Sequence, residues 1–467
     1  MADLAVDICV VGAGSGGTSI AAAAAQLGRN VVLIDRGERG DHLRIASKAL
    51  IAAARAAEAG RSGAEFGIAP ATPEIDAKKL HAHIREIIVE VKAQNARVPF
   101  EGVKLIRDQA AFLDRKTLRS GDSRIRAKTF VLAAGTRAKI PDFADLESVP
   151  FFTTDTIFEK DVIPQHLIVL GGGSTGIELA QAHRRLGADV TVIDNARLLA
   201  DYERPLAQIV LDQLLRDGIR LREGAKISRI DRSSVGVRVE IGRVQGAEII
   251  EGSHLLVATG RAADVETLDL AKANVTCSER GIVVDKDLRT SNRRIYAIGD
   301  SVAAPQRVRG AHWHAAFLVR SLFAAQAAHG PHDALASVLH SDPEIATLGM
   351  SAAEAKAEKL TFEIVTSSLE ETDRGRADRI GESRVDILVG KKGRVLGVTM
   401  VARNASELIV PWVIAVGEGV PLSHLAGLIL PYPSLGEHMK RLTASYYGSP
   451  LFKRRAPAGA QVLANLR

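Results

Sequence analysis

The feature that most limits how this chain can fold is a glycine-rich strand–turn–helix motif that occurs twice. The first copy begins with the apolar run 7–11, passes through the turn 12–17 and enters an Ala-rich helix, 18–27, that ends at Gly28. A second apolar strand, 30–35, follows. A strand, a glycine turn and a helix in this order are typical of a dinucleotide-binding βαβ unit.

The second copy repeats the first in every element. The strand 166–170 leads into the turn 171–176, a helix runs to about residue 186, and the strand 189–194 follows. Such self-similarity indicates an internal duplication. We therefore predict an α/β protein with two Rossmann-like, three-layer dinucleotide-binding domains.

The glycines of each turn are candidate cofactor-binding residues. The first glycine allows the turn, the second lets the backbone approach a pyrophosphate, and the third lets helix and strand pack closely. The helix N-terminus then offers free N–H groups to the phosphates. The predicted phosphate-binding glycines are Gly12, Gly14 and Gly17 in the first copy and Gly171, Gly173 and Gly176 in the second.

An acidic residue ends the second strand of each unit, Asp35 in the first and Asp194 in the second. A carboxylate at this point accepts hydrogen bonds from ribose hydroxyls. At Asp194 it favours NADH over NADPH, because it would repel a 2′-phosphate. Arg197 lies three residues after Asp194 and weakens the preference for NADH.

Beyond about residue 340 the glycine-rich turns stop. Segments 385–389 and 395–401 have the pattern of strands, and 406–417, 422–428 and 435–444 that of helices. We predict a separate C-terminal α+β domain. Between the two glycine motifs, 41–58 and 76–92 are predicted to be long helices.

Composition excludes several classes of protein. The two cysteines, Cys9 and Cys277, are far apart in the 467 residues and form neither a disulfide framework nor a zinc pattern. No run approaches the roughly 20 apolar residues of a membrane span. The net charge of +6 is scattered rather than gathered in a nucleic-acid-binding patch. We expect a cytoplasmic protein without a resident metal ion, a nucleic-acid partner or a membrane span.

Three further segments carry a family resemblance: Ala-Ala-Gly-Thr at 133–136, Ala-Thr-Gly-Arg at 258–261 and Tyr-Ala-Ile-Gly-Asp at 296–300. Together with the two glycine turns they resemble the pyridine nucleotide–disulfide oxidoreductases, which include dihydrolipoamide dehydrogenase, mercuric reductase and soluble pyridine nucleotide transhydrogenase. Segments 343–349 and 397–408 look like the C-terminal dimerisation domain of that family. The resemblance covers residues 7–444 and implies a homodimer whose C-terminal domain completes the partner's site.

The resemblance implies FAD at the first glycine turn and NAD(H), rather than NADP(H), at the second. It also implies an order of domains along the chain. The FAD-binding domain would take 1–148 and return at 266–335, the NAD(P)-binding domain 149–265, the dimerisation domain 336–450 and a basic tail 451–467.

Individual site residues follow from the same resemblance. Asp35 would bind the adenosine ribose of FAD and Asp300 its ribityl chain, and the helix that begins near Ala311 and His312 would point its N-terminus at the flavin. Backbone contacts to the cofactors are implied at Ala110, Gly135 and Gly260.

Two charged residues are the candidate catalytic pair. Lys48, in the segment 47–50, would lie near flavin N5, and Glu178 would be its ion-pair partner beside the nicotinamide. From the sequence alone, an exposed lysine and an ordinary first-turn acid on two helices remain alternative interpretations.

The chain departs from the family at two places. The segment 40–48 lacks the redox cysteine pair and is about three residues short, with His42 and Arg44 near the lost positions. Tyr432 replaces the C-terminal histidine base, while Glu437 is kept. Because the ordinary pKa of tyrosine is about 10, Tyr432 is predicted to be a hydrogen-bond donor rather than a base.

We therefore predict an FAD-dependent NAD(P)H oxidoreductase that passes electrons to a non-disulfide acceptor: a quinone, a metal complex, oxygen or an electron carrier. Such a protein would serve electron transfer and cell redox homeostasis. The first alternative is a soluble transhydrogenase, which Tyr432 favours. The second is a non-catalytic FAD-binding redox sensor or scaffold.

Overall fold

The computed structural model describes residues 2–37, 42–96, 102–143, 146–242, 246–303, 310–323 and 335–448, without the side chains of 42–44 and 94–96. The chain divides into two compact units. Residues 1–200 and 217–330 form the first unit, and residues 201–216 and 331–467 form the second. The predicted domain boundaries are finer than this division and stay predictions. The basic tail 451–467 lies outside the described residues.

The first unit contains two groups of strands. The strands of the first group are β1 (Ala2–Val11), β2 (Val31–Ile34), β3 (Val103–Ile106), β4 (Ala110–Phe112), β5 (Thr117–Ser120), β6 (Ser123–Leu132) and β7 (Thr136–Ala138). Those of the second are β8 (Phe151–Thr153), β9 (His166–Leu170), β10 (Asp189–Ile193), β11 (Arg220–Arg222), β12 (Lys226–Ser233), β13 (Gly236–Gly242), β14 (Ala247–Gly252), β15 (His254–Val257) and β16 (Arg261–Ala263). The chain then forms β17 (Cys277–Ser278), β18 (Gly281–Ile282) and β19 (Ile295–Ala297).

The strands of the second unit are β20 (Ser337–Leu339), β21 (Glu344–Gly349), β22 (Glu363–Ser367), β23 (Arg384–Val389) and β24 (Val395–Ala402). The helices of the first unit are α1 (Ser15–Gln26), α2 (His42–Arg61), α3 (Ala77–Ala96), α4 (Ser174–Arg185) and α6 (Ala311–Phe323). Those of the second unit are α5 (Arg204–Arg216), α7 (Ala352–Ala357), α8 (Asp373–Ala377), α9 (Ala405–Leu408), α10 (Val410–Gly417), α11 (Leu422–Ala426) and α12 (His438–Gly448).

The first sheet has the strand order β3-β2-β1-β6-β5-β4, and β19 pairs with β6. Strands β3, β2, β1, β6 and β19 run parallel, and β5 and β4 turn back antiparallel. All four residues of β2 are buried, as expected for a parallel strand covered on both faces. The Ala-rich helix α1 buries Ile20, Ala21 and Ala24 in the core beside this sheet.

The second sheet repeats the arrangement with the order β11-β10-β9-β15-β8, and its strands are parallel. An antiparallel sheet, β12-β13-β14, lies beside it. The prediction of two Rossmann-like dinucleotide-binding folds is therefore confirmed. In each, the first strand occupies the middle of the sheet, so its carboxyl end lies at the crevice where such sheets bind ligands.

The second unit is built on the antiparallel sheet β20-β21-β24-β23-β22. Trp412 of α10 is fully buried in its core with Met400 of β24 and Leu442 of α12. The predicted α+β fold of this region is confirmed, but the prediction of one helix over 406–417 is wrong. Pro411 stands in the first turn of α10, where a proline is tolerated, and the chain forms α9 and α10 instead.

Candidate functional site

The first glycine turn joins β1 to α1, and two of its glycines are required by the packing. Gly12 has φ +104°, and a Cβ added there would lie 2.2 Å from the carbonyl oxygen of Ala133. A Cβ on Gly17 would lie 1.9 Å from the carbonyl oxygen of Gly12. Around Gly14, by contrast, an added Cβ meets nothing within 4 Å. Gly12 and Gly17 therefore close the turn, and Gly14 faces open space.

The second glycine turn, between β9 and α4, has the same geometry. Gly171 has φ +108°, with an added Cβ 2.3 Å from the carbonyl oxygen of Ala258. A Cβ on Gly176 would lie 2.0 Å from the carbonyl oxygen of Gly171, and one on Gly173 would meet nothing within 4 Å. The duplication inferred from the sequence therefore extends to individual contacts.

The open glycine of each turn is also the N-cap of the following helix. Gly14 caps α1 and Gly173 caps α4, and neither provides a side chain to the first N–H groups. No acidic residue stands in the first turn of either helix. The N–H groups of a helix N-terminus, the positive end of the helix dipole and the room beside the backbone fit a pyrophosphate.

The segments that resemble the family lie against these turns. Ala133 and Ala134 pack on Gly12, and Ala258 and Thr259 pack in the same way on Gly171. Gly135 has φ +68° and Gly260 has φ +125°, with open space around both added Cβ positions. Ala110 is buried in β4, two strands from β6. Its predicted backbone contact with FAD stays a prediction.

The two strand-end acids have different surroundings. Both carboxylate oxygens of Asp194 accept backbone hydrogen bonds, from the N–H of Gly172 at 2.6 Å and from that of Ala196 at 2.8 Å. Asp194 is thereby held beside the second turn, where a ribose would follow the pyrophosphate. Asp35 is half-buried just beyond β2, and its N–H donates to the carbonyl of Ile106.

Two more predicted residues lie next to the first turn. Ala311 is the first residue of α6. Its carbonyl oxygen would lie 3.1 Å from a Cβ added at Gly16, and its own Cβ would lie 3.2 Å from a Cβ added at Gly299. The half-buried Asp300 and the exposed His312 therefore lie near the start of α1. His314 was missed, although its Nδ1 accepts from the N–H of Gly299 at 2.9 Å and steadies the turn before Asp300.

The predicted pair Lys48 and Glu178 is joined by an ion pair. Nζ of Lys48 on α2 lies 2.8 Å from Oε2 of Glu178 on α4. The lysine side chain is 37% exposed, whereas that of the glutamate is 9% exposed. A buried carboxylate needs a cation or donors, so Glu178 orients Lys48. This arrangement excludes the interpretation of both as unrelated surface charges, while their roles in catalysis stay predictions.

Contacts made by the end of α4 were missed by sequence reasoning. Nη1 of Arg61, at the end of α2, donates to the carbonyl of Arg185 at 2.7 Å. Nε of Arg185 lies 3.0 Å from Asp217, and both side chains are only 5% exposed. Nε2 of Gln181 donates to the same carboxylate at 2.9 Å. A basic helix end ordinarily indicates a solvated surface, so the sequence contains no signal of this buried pair.

Arg261, the last residue of the Ala-Thr-Gly-Arg segment, was also missed. Its guanidinium bonds Asp155 at 2.6 Å and the hydroxyl of Thr136 at 2.8 Å, and it donates to the Thr136 carbonyl at 2.7 Å. Strand β16, which begins at Arg261, pairs with β7. Arg261 therefore links β16 to β7 and to Asp155, in the segments that connect the two glycine-turn folds.

In the second unit, Tyr432 is 72% exposed, yet its hydroxyl donates to Oδ2 of Asp373 at 3.0 Å. This bond, the negative charge of Asp373 and that of the half-buried Glu437 raise the pKa of Tyr432 above its ordinary value. The phenol therefore stays protonated at neutral pH, in agreement with its predicted role as a donor. Asp373 was not predicted, because a carboxylate at the start of a short helix is common.

The two cysteines are free and lie in different strands. Cys9 is fully buried in β1, and burial raises the pKa of its thiol well above the ordinary range. Cys277 is exposed in β17, and partial burial raises its pKa as well. The side chains of His42 and Arg44, and residues 38–41 before them, lie outside the described residues.

Within the part of the chain that the structure describes, no helix is both long and apolar enough to span a membrane. Groups of three or more histidine, cysteine, aspartate or glutamate residues able to hold a metal ion are likewise not found there.

Comparison with known proteins supports the same assignment as the geometry. The family model described as pyridine nucleotide-disulphide oxidoreductase matches residues 6–317, and the model of that family's dimerisation domain matches residues 335–443. The second match supports a homodimer.

Among curated proteins, a mercuric reductase of Streptomyces lividans is 29% identical over 97% of this chain and 98% of its own length. A dihydrolipoyl dehydrogenase of Geobacillus stearothermophilus is 27% identical over 95% of this chain and 96% of its own. Among solved structures, LpdA from Mycobacterium tuberculosis superposes with a TM-score of 0.83 at 24% identity, covering 94% of this chain and 99% of that one. The flavoprotein disulfide reductase RclA from Escherichia coli gives 0.81 at 20% identity, with the same coverage.

Proposed function

Because the chain belongs to the pyridine nucleotide-disulphide oxidoreductase family, we propose that it takes hydride from NADH and passes the electrons to an acceptor other than a disulfide. Members of the family are oxidoreductases that use FAD and NAD(P)H. The proposal rests on one observation. Lys48 and Glu178 form an ion pair, while α2, the helix that contains Lys48, has no cysteine.

The residues present fit both cofactors. Each glycine turn, together with the start of the helix after it, forms what we call a cradle. It combines two glycines that the packing requires with one that leaves the helix N-terminus open to a pyrophosphate. The cradle at Gly14 would hold FAD, and the cradle at Gly173, with Asp194 beside it, would hold NADH. When bound, FAD supplies the chemistry of accepting a hydride and releasing the electrons to a second substrate.

Lys48 is the residue that would act next to the flavin. Its ammonium group stabilises negative charge that develops on a neighbouring ring. Glu178 holds that ammonium at 2.8 Å, and Arg61 ties the far end of α2 to α4. The protein's part in hydride transfer is therefore to fix a cation on α2 relative to the helix that follows the NADH cradle.

Thiol chemistry has little support in this chain. Exchange with a disulfide needs a thiolate that is accessible and a second thiol close by. Cys9 is buried in the core, Cys277 lies in another strand, and the pKa of each thiol is raised. We propose that the acceptor is a quinone, a metal complex, oxygen or an electron-carrier protein. The relatives include mercuric reductases, which keeps metal complexes among the candidates.

A second candidate function is transhydrogenation between NADH and NADP⁺. Tyr432, at the position of the family's histidine, favours it. Asp194 opposes it, because its carboxylate would repel the 2′-phosphate of NADP⁺. Hydride exchange between NADH and a thio analogue of NADP⁺ distinguishes this function from reduction of another acceptor.

An anaerobic titration of the purified yellow protein with NADH, and separately with NADPH, tests the proposal. We expect flavin bleaching at about one equivalent of NADH, followed by turnover with a quinone or an artificial acceptor and none with lipoamide or glutathione. Thiol-dependent turnover would contradict the non-disulfide acceptor. Failure of either nucleotide to bleach bound FAD would favour a redox sensor or scaffold.

Lys48→Met provides a variant that tests the role of the ion pair. We expect it to retain FAD but to slow flavin reduction by NADH, because the cation near the flavin is lost. Lys79→Met is the matched control, since Lys79 is an exposed lysine on α3 that lies 3.7 Å from Asp76. Equal rates of flavin reduction in the two variants would remove Lys48 from the mechanism.

A further inference from the structure

The chain passes from the first glycine-turn fold to the second through β7 and returns through β16. Each passage begins beside a cradle. The outward passage follows Ala133, which packs on the first glycine turn, and the return passage follows Ala258, which packs on the second. The two passages cross as antiparallel strands, with Arg261 opposite Ala138. This crossing therefore helps to set the position of one cradle relative to the other.

Hydrogen bonds continue the crossing beyond the two short strands. The N–H of Lys139 donates to the carbonyl of Gly260 at 2.9 Å, and the N–H of Asp264 donates to the carbonyl of Gly135 at 3.1 Å. The hydroxyl of Thr259 donates to the carbonyl of Lys139 at 2.9 Å. Because Thr259 also packs on the second glycine turn, the crossing is bonded directly to the cradle at that turn.

Arg261 joins both passages to the second fold. Its Nε donates to the hydroxyl of Thr136 at 2.8 Å, and its Nη2 donates to the carbonyl of the same residue at 2.7 Å. Its Nη1 donates to Oδ1 of Asp155 at 2.6 Å and to the hydroxyl of Thr154 at 3.1 Å. Thr154 and Asp155 directly follow β8, the edge strand that pairs with β15 in the second sheet. One guanidinium group therefore binds the outward passage and the edge of the second sheet.

Asp155 bonds the same crossing from the side of the second sheet. Its Oδ2 accepts from the N–H of Ala138 in β7 at 3.2 Å, while its Oδ1 accepts from Arg261. Its own N–H donates to the hydroxyl of Thr153, the last residue of β8, at 3.2 Å. The side chain of Asp155 is 12% exposed and that of Arg261 is 36% exposed. Charge-assisted bonds from a planar guanidinium fix direction as well as distance, so this pair resists movement of the crossing.

We propose that Arg261 and Asp155 are positioning residues for hydride transfer, because they hold the cradle at Gly173 at a fixed distance from the cradle at Gly14. This inference rests on the proposed function, in which NADH at one cradle reduces the flavin at the other. In that step the C–H bond of the nicotinamide breaks, an N–H bond forms on the flavin, and both electrons move with the hydrogen. The two reacting atoms must lie about 3–3.5 Å apart.

A positioning role separates the rate of this step from the affinity for NADH. A displacement of about 1 Å between the reacting atoms slows such a step about 100-fold. Binding of NADH depends instead on contacts within the second fold, at the cradle of Gly173 and at Asp194. Loosening the crossing should therefore slow flavin reduction and leave the Kd for NADH unchanged.

The experiment compares Arg261→Gln, Arg261→Lys and Asp155→Asn with Arg137→Gln as the matched control. Arg137 stands in β7, its side chain is 37% exposed, and it pairs with Glu266. Glu266 begins a short helical turn that ends at Leu268, which is buried in the core of the first sheet. The control therefore removes an arginine that is equally exposed and equally paired, but whose partner belongs to the first fold.

Stopped-flow mixing of the FAD-loaded dimer with increasing NADH separates the limiting rate of flavin reduction from the Kd. We expect Arg261→Gln to lower the limiting rate about 100-fold at unchanged Kd. Arg261→Lys keeps the charge without the planar fork and should fall between that variant and the wild type. Asp155→Asn should also slow reduction, and the double variant should be no slower than Arg261→Gln, because the two residues act as one unit.

Three outcomes would overturn the proposal. One is a limiting rate that stays at the wild-type value in Arg261→Gln. Another is a raised Kd with an unchanged limiting rate, which would assign Arg261 to nucleotide binding. The third is an equal loss in Arg137→Gln, which would show that any arginine pair at the crossing has the same effect.

Hydrogen exchange of backbone amides gives a readout without turnover. In Arg261→Gln the amides of Lys139 and Asp264 should exchange faster, whereas those of the central strands β1 and β9 should keep their wild-type protection. Unchanged exchange at Lys139 and Asp264 would contradict the role of Arg261 in holding the crossing.

Loss of protection in β1 and β9 would show that Arg261→Gln does not fold properly, and Asp155→Asn, the milder change, then decides the proposal by the same two measurements. If wild-type protein is not reduced by NADH at all, the proposed function has failed. Hydrogen exchange still decides in that case whether Arg261 holds the crossing.

Discussion

Replacing the open glycine of the second cradle should separate nucleotide binding from folding. Gly173 has φ −76° and ψ 179°, backbone angles that alanine adopts without strain, and an added Cβ meets no atom within 4 Å. Gly173→Ala should therefore leave the fold intact. Its effect on stability should be small, because the gain of about 0.4–1 kcal/mol from restricting the unfolded chain is offset by the preference of an N-cap position for glycine over alanine.

The same methyl group would stand where a pyrophosphate approaches the backbone. Loss of one charge-assisted hydrogen bond costs about 1.5–3 kcal/mol. That cost corresponds to a Kd for NAD⁺ raised roughly 10- to 150-fold. Calorimetric titration of NAD⁺ into the FAD-loaded protein measures the Kd, and thermal unfolding measures stability.

Gly176→Ala is the contrasting variant. Its Cβ would lie 2.0 Å from the carbonyl oxygen of Gly171, so α4 and β9 must move apart. Such overpacking costs about 1–3 kcal/mol, and the melting temperature should fall. Reduced NAD⁺ affinity with unchanged stability in Gly173→Ala supports the cradle. Unchanged NAD⁺ affinity in Gly173→Ala would refute the placement of a pyrophosphate at this turn.

Three further outcomes are expected. Asp217→Asn removes the carboxylate that pairs with the buried Arg185 and should destabilise the protein by about 3–5 kcal/mol in urea unfolding, and a loss below about 1 kcal/mol would contradict the burial of the pair. Asp194→Ala should raise the use of NADPH relative to NADH about tenfold, as 1.4 kcal/mol of relieved repulsion predicts, and an unchanged ratio of kcat/KM values would show that Asp194 does not select the nucleotide. Burial lowers the pKa of His183 to about 4, whereas in the unfolded chain it is about 6.5. The unfolded state thus binds the proton first, stability is complete above about pH 6.5, and up to about 3 kcal/mol is lost as the pH falls towards 4. His183→Gln should flatten this part of the stability profile, and equal slopes in the two proteins would exclude His183 as its source.

The sequence by itself determined the two glycine turns and the folds around them. Glycine at these positions follows from local geometry, since a left-handed φ or a close backbone contact tolerates no other residue. The order of strand, turn and helix is equally local. The sequence therefore predicts Gly12 and Gly171 in their turns, together with the strand-end acids Asp35 and Asp194. That residues 40–48 contain no cysteine could also be read directly from the sequence.

Only the tertiary structure decided which charged side chains meet. Asp373 and Tyr432 are 59 residues apart, and Arg185 and Asp217 are 32 apart. An aspartate at the start of a helix and an arginine at the end of one have the same local sequence whether they are solvated or paired. Partners distant along the chain are selected by packing of whole helices and sheets, which no local pattern records.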